Sequence, residues 1–214
     1  MFENNAKAQA PARPGVRQRR GVERRRAILD AAEALLGEQG YQAGSLKAIG
    51  ERAGIPTASV YHYFSDRHQV DAELLQRHVD ELDALLTAAL HSPALRTLRD
   101  AGDAVITPLR NYFRQHPSCT VLWFARGNQT LDELIRTFDT SQAERLWHFL
   151  IERELLPAET PQLVVQLAWE AGNRLFDTAF RRSPTGDDAT IEEVRRLVTA
   201  YLETYAPRAA KRRG

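Results

Sequence analysis

The chain has 214 residues, 43% of them apolar, with 29 Lys/Arg against 28 Asp/Glu. That apolar content excludes a wholly disordered chain, and a formal charge of +1 excludes strong whole-chain attraction to a polyanion. One cysteine excludes an intrachain disulfide framework, and the size fits a medium domain joined to a small one.

Residues Met1 to Gly21 hold Ala, Pro, Gln and Arg without an apolar period and are expected to form a flexible basic arm (1–21). Charge is uneven along the chain: up to Arg67 there are 11 Lys/Arg against 7 Asp/Glu, and beyond it 18 against 21. A basic front on a mildly acidic body suits a small nucleic-acid module on a neutral scaffold. From Val22 the pattern changes. Ile28, Ala31, Ala32, Leu35 and Leu36 recur at helical spacing, and Gly40 ends the run. Ser45 is placed to cap a second helix whose apolar face is Leu46, Ile49 and Ala53, and Gly54 stops it. Pro56 and Thr57 open a third helix of about two turns, with Thr57, Ser59, Tyr61 and His62 outward and Ile55, Val60 and Phe64 inward. Two short helices joined by a tight glycine-containing link match a helix-turn-helix, whose second helix enters the major groove. Small hydroxyls at the front of that helix allow close approach to base edges, and phenol and imidazole can donate to phosphates.

A fourth helix, capped by Ser65-Asp66, is expected from Arg67 to Leu90, long enough to leave the front module (22–67) and enter the body (68–206). Further helices read as Leu95–Gln115, Ser118–Arg126, Thr130–Glu154, Pro161–Arg182 and Ala189–Tyr205, with Pro108 expected to kink or split the first. Residues 207–214 form a basic tail. No stretch has the strand period of two, so the fold class is all-α. The penultimate helix is apolar around much of its circumference. Val164, Ala168, Ala171 and Leu175, with Val194, Leu197, Val198 and Tyr201 of the last helix, are the expected dimer interface through a four-helix packing. Phe113, Trp123, Trp147, Trp169 and Phe176, with the polar Asn173, are the expected lining of an effector pocket. Cys119, among Val121, Leu122, Trp123 and Phe124, reads as a buried thiol. The scattered histidines, His116 and His148 among them, suggest no metal site, and no cofactor fingerprint is visible.

From about Val22 to Val70 the chain resembles the TetR family of one-component transcriptional regulators, through RRAILDAAEALLGEQGYQAGSLKAIGERAGIPTASVYHYFSDRHQV. The resemblance implies an N-terminal three-helix DNA-binding domain, a linker helix, and a larger helical domain for effector binding and dimerisation. It places Tyr41 as a packing aromatic and Ser45 as a cap that reaches phosphate. Thr57, Ala58 and Ser59 fall on the base-facing start of the third helix, Tyr61 and His62 on its phosphate-contacting positions, and Phe64 on the closing aromatic. Lys47, just inside helix two, joins them as a phosphate candidate. Three positions depart from the pattern: Pro56 stands where Ser or Thr is frequent, Ala58 where Gly is, and Thr57 where Lys or Arg is, which puts the operator sequence in doubt. The expected function is a cytoplasmic homodimeric repressor, released from a pseudo-palindromic operator by a small, largely apolar ligand. One alternative is a DNA-binding structural or protein-interaction factor of the same fold without an effector. An enzyme built on His116, Cys119 and Glu152 has no supporting nucleophile or cofactor motif.

Overall fold

A computed structural model describes residues 14–125 and 127–207 of the chain. Helix α1 spans Pro14–Gln39, so it begins well before Val22, and the flexible arm expected as far as Gly21 is corrected for residues 14–21. The apolar period marks where a helix is packed, whereas Arg and Gln wind a helix equally well in solvent. Arg19 donates to Glu23 one turn on, at 3.3 Å, and both side chains are exposed. Residues 1–13, and with them the rest of the arm, lie outside the described residues, as do residues 208–214 of the basic tail.

After a 3-10 turn at Tyr41–Ala43, α2 runs over Leu46–Ala53 and α3 over Thr57–Tyr63. Ser45 Oγ accepts from the Ala48 N–H at 3.1 Å, and Gly54 closes α2 in the left-handed region at φ 65°. Helix α4 (Arg67–Leu90) is capped by Asp66, which accepts from the Gln69 N–H at 3.0 Å. The body adds α5 (Leu98–Gln115), α6 (Pro117–Trp123), α7 (Gln129–Glu152), α8 (Gln162–Arg182) and α9 (Asp188–Glu203). Pro108 does not split α5; the helix continues through it, because the flanking turns bury Val105, Ile106, Leu109, Tyr112 and Phe113. The expected sixth helix reaching Arg126 ends at Trp123 instead. Among the described residues the fold is all-α, and none of its helices is long and apolar enough to cross a membrane.

Two hydrophobic cores organise these helices. The first gathers Ile28, Leu35 and Leu36 of α1, Leu46 and Ile49 of α2, Val60 and Phe64 around α3, and Val70, Leu74 and Leu75 of α4. The second begins farther along α4 at Leu82, Leu86 and Leu90 and takes in α5, α7, α8 and α9. Helix α6 belongs to both: Leu122 is buried in the first core, and Cys119 is buried in the second. It lies along α1 on one side and touches α4, α5 and α7 on others. The most extensive helix–helix packing is α8 on α9, where Gly172 permits close approach; a Cβ there would stand 3.3 Å from Val198.

Candidate functional site

The front module presents α3 as its outward element. Val60 and Phe64 are wholly buried against Ile28 and Leu35, and Ile55 is half-buried, as their spacing predicts. Their burial leaves the other side of the helix facing out. Tyr61 is 57% exposed, Ala58 and His62 are exposed, and Thr57 and Ser59 are half-exposed. The turn before α3 is held by the Ile55 N–H donating to the Gly50 carbonyl at 2.9 Å. Gly50 is needed at this crossing, since a Cβ on it would lie 2.9 Å from the Ile55 carbonyl oxygen and 3.0 Å from Val60.

Ser45 is exposed at the start of α2, and its oxygen already accepts from Ala48, so its hydroxyl proton remains for an incoming acceptor such as phosphate. The free N–H groups of the first turn add an attraction for anions at the same place. Lys47 is exposed and only loosely paired with Glu51 at 3.9 Å. Arg52, by contrast, is engaged by both oxygens of Glu38 at 2.8 and 2.6 Å. Arg25 is a structural residue: it stacks over the Phe64 ring at 4.6 Å, pairs with Glu73 of α4 and donates to the Tyr63 carbonyl at 3.3 Å, locking α1, α3 and α4 together. Tyr41, expected as a packing aromatic, also donates its hydroxyl to buried Asp71 at 2.9 Å beneath the Arg67 guanidinium.

In the body the predicted pocket residues separate. Phe113 and Phe176 are buried and meet edge-on at 5.4 Å, and Trp147 donates its indole N–H to the Thr160 carbonyl at 2.9 Å. Phe113 and Trp147 line neither of the two clefts described next; they are packing residues. Trp123 and Trp169 do line a cleft of about 390 Å³ between α6, α7 and α8, with Ile135, Arg136, Asp139, Thr140 and Glu170. It adjoins a second cleft of about 410 Å³ that shares Trp123, Asp132, Asp139 and Glu170 and adds Phe124, Asn173 and Asp177. Asn173 and Phe176 also border an apolar cavity of about 50 Å³ under α9, too small for an organic effector.

The residue that sequence reasoning missed here is Asp139. Its Oδ1 accepts from the Trp169 indole N–H at 2.9 Å and from the Asn173 amide at 2.8 Å. Burial raises its carboxyl to about 6, against the lowering effect of those two hydrogen bonds, and Glu170 adds to the rise. Asn173 is therefore a positioning group for this carboxylate on the cleft wall.

Between the two cores lies a buried polar knot. His78 sits on the inner face of α4, almost fully buried, with Nδ1 2.7 Å from the Tyr112 hydroxyl and Nε2 3.2 Å from Ser118 Oγ. Burial, aided by His116 and Arg77, lowers its imidazole to about 3, so the ring is neutral. Tyr112 donates to Glu81 at 2.7 Å, and His116 stacks on Tyr112 while its Nδ1 lies 3.4 Å from Glu33 of α1. The expectation of no metal site rested on the scatter of the histidines along the chain. Folding corrects its premise, since Glu33, His78 and His116 each bring a ligating atom within 4.8 Å of the others. Cys119 is buried beside this knot and burial pushes its thiol well up, which removes it as a nucleophile.

The terminal helices also redistribute the predicted interface. Val164, Ala168 and Val194 are buried in the body core, so they are not free to meet a second chain. Leu175, Val198 and Tyr201 are half-buried against that core, and Ala171 and Leu197 face out. The outward stripes instead read Leu163 (58% exposed), Leu167 (45%) and Ala171 on α8, and Leu197 (44%), Tyr201 and Tyr205 (40%) along α9 and its end. Both stripes step by four residues.

Two family models match the chain: "Bacterial regulatory proteins, tetR family" over residues 28–73 and "Tetracyclin repressor-like, C-terminal domain" over residues 97–202. A solved structure described as a TetR-family transcriptional regulator from Streptomyces coelicolor is 30% identical, with a TM-score of 0.60, covering 85% of this chain and 99% of that one. The HTH-type transcriptional regulator BetI of Rhizobium meliloti is 25% identical over 84% of this chain and 89% of its own length. The HTH-type transcriptional activator FasR of Mycolicibacterium smegmatis is 34% identical over 94 residues, 42% of this chain and 43% of FasR, so that match spans less than half of the relative.

Proposed function

Because the chain belongs to the TetR family of transcriptional regulators, which are DNA-binding proteins and not enzymes, we propose that it is a cytoplasmic homodimeric repressor. It leaves a pseudo-palindromic operator when a small molecule enters the cleft between α6, α7 and α8. Tyr61 and His62, with Ser45 and Lys47, hold the phosphates, and Thr57, Ala58 and Ser59 face the bases. The two chains pair through the outward stripes of α8 and α9, giving heads spaced to meet half-sites about 34 Å apart.

The observation that carries release by a ligand is the double membership of α6. Trp123 at its end forms the cleft wall, while Leu122 beside it is buried in the core of the DNA-binding module. A molecule pressing on Trp123 therefore acts on an element packed along α1. The effector keeps the largely apolar body expected from the sequence, suited to Trp123, Ile135 and Trp169. Asp139 adds a preference for one cationic or proton-donating group on it.

Selection of an operator from random duplexes, then fluorescence anisotropy with and without amphiphilic amines, tests this reading; failure to select any sequence overturns it. Light scattering at micromolar concentration should report a dimer, and a monomer would refute the pairing. The FasR match favours a second reading, activation, and a reporter with the operator upstream of a promoter separates the two by the sign of its response.

A further inference from the structure

We propose that Glu33, His78 and His116 form a site for a divalent transition metal of the zinc class, which joins α1 to α4 and to the α5–α6 corner. The donor set is two imidazoles and one carboxylate, which suits Zn²⁺, Co²⁺ or Ni²⁺ rather than the all-oxygen preference of Mg²⁺ or Ca²⁺. Their ligating atoms already lie within 4.8 Å of one another, and the His116–Glu33 pair is at 3.4 Å. Metal–ligand bonds of about 2.0–2.2 Å call for pairs roughly 3.3 Å apart, so only His78 has to be approached. Glu33 and His116 are partly exposed and can make that small rotation, which also opens a route for the ion.

The hydrogen bonds around the site prepare each ligand. Tyr112 gives its proton to Glu81, so its oxygen accepts from His78 Nδ1–H, leaving the lone pair of His78 on Nε2. A histidine held in one tautomer through a chain ending on a carboxylate is the outer shell that metal-binding imidazoles commonly have. At present Nε2 only receives a bond from the Ser118 hydroxyl at 3.2 Å, which can turn to a metal-bound water when the ion arrives. Glu33 divides its labour: Oε2 pairs with Arg77, itself 2.7 Å from Asp30, while Oε1 faces His116. Arg77 thus orients the carboxylate, and Glu33 and Asp30 offset its positive charge near an incoming cation.

The site spans the seam between α1 and α6 that the ligand-release mechanism uses, so its occupancy would hold the DNA-binding module to the body. That consequence rests on the proposed regulatory function; metal uptake itself does not. Full-length protein stripped with a chelator is titrated with ZnCl₂ by calorimetry and with CoCl₂ by visible absorption. One ion per chain is expected, with a rise in melting temperature and the d–d bands of nitrogen- and oxygen-bound Co²⁺. Glu33→Gln and His116→Gln, checked for folding by circular dichroism, should each bind at least tenfold more weakly, whereas His148→Gln, outside the cluster, should bind as the parent does. Uptake unchanged in both cluster variants overturns the site, and so does absence of uptake by the parent. Operator anisotropy with and without Zn²⁺ then reads the seam separately: metal uptake with no selectable operator refutes the regulatory reading and leaves the site standing.

Discussion

The DNA-binding module and the helical body use the same element to opposite ends. In the module, short helices are set by caps and glycine turns within a few residues, and the proposed DNA-contacting face is outward and contiguous in sequence, from Ser45 to His62. In the body, long helices bring together groups from far apart: Asp139 meets Trp169 and Asn173 on a cleft wall, and His78 lies near Glu33 and His116 in a buried knot. An outward face can be altered without disturbing the core beneath it, whereas polar groups buried among helices cannot, because they are held by the packing that stabilises the domain.

Five substitutions probe that contrast. The largest effect should come from Phe64→Ala, which empties a fully buried position in the module core and should cost about 3–5 kcal/mol. Trp147 and Trp169 pack in the second core alone, whereas Trp123 packs against both, so urea unfolding followed by the fluorescence of a Trp123→Phe background asks whether the cores are joined. A lowered midpoint shows joint unfolding through α6; an unchanged one shows that the two regions are independent. Next, Leu167→Glu on the outward stripe of α8 should weaken self-association roughly a hundredfold or about 2.7 kcal/mol, by placing unpaired charge in the proposed apolar interface. Sedimentation of a concentration series reads this directly.

Asp139→Asn should have a smaller effect, with a defined pH window. The folded-state carboxyl titrates near 6 against an ordinary value of 3.8, so the folded protein holds this proton more tightly than the unfolded chain. Its contribution is fully present below about pH 4 and is lost as pH rises through 6. The parent should therefore lose about 2 kcal/mol relative to the Asn variant between pH 4 and pH 7. Parallel urea curves at the two pH values measure the difference, and parallel behaviour of the two proteins would contradict the buried carboxyl. Smallest is Tyr61→Phe, which removes one exposed hydroxyl: operator affinity should fall by roughly 1 kcal/mol, about fivefold, across all sequences, with an unchanged unfolding midpoint. Ser59→Ala should instead alter sequence preference and leave the salt dependence as it was.

The same contrast governs how much could be read from the chain alone. Ser45 as a cap, Val60 and Phe64 as core, and Tyr61 and His62 as surface follow from neighbours within one or two turns. On α8, apolar residues occupy most of the circumference, and periodicity cannot say which side meets its own core. Val164 and Ala168 face inward while Leu163 and Leu167 face outward, for reasons set by α9 and Gly172. Asp139 gave no local sign beyond its place next to buried Phe138. His78 did leave one: it interrupts the four-residue stripe Leu74, Leu82, Leu86 and Leu90 of α4, marking a histidine on the buried face of a helix. Its partners could not be named, because Glu33 and His116 stand 83 residues apart.

Helix α4 is a lever. Its 24 residues at about 1.5 Å each make an arm of roughly 36 Å, gripped by one core near Arg67 and by the other toward Leu90. Tilting such an arm by about 5° at the body end sweeps its far end by roughly 3 Å, and in the proposed dimer two such arms related by a two-fold axis would alter the gap between recognition helices by about twice that, a sixth of a DNA turn. In the proposed release mechanism, a small adjustment around Trp123 would need only to be converted into angle to become a change that the spacing of major grooves can refuse.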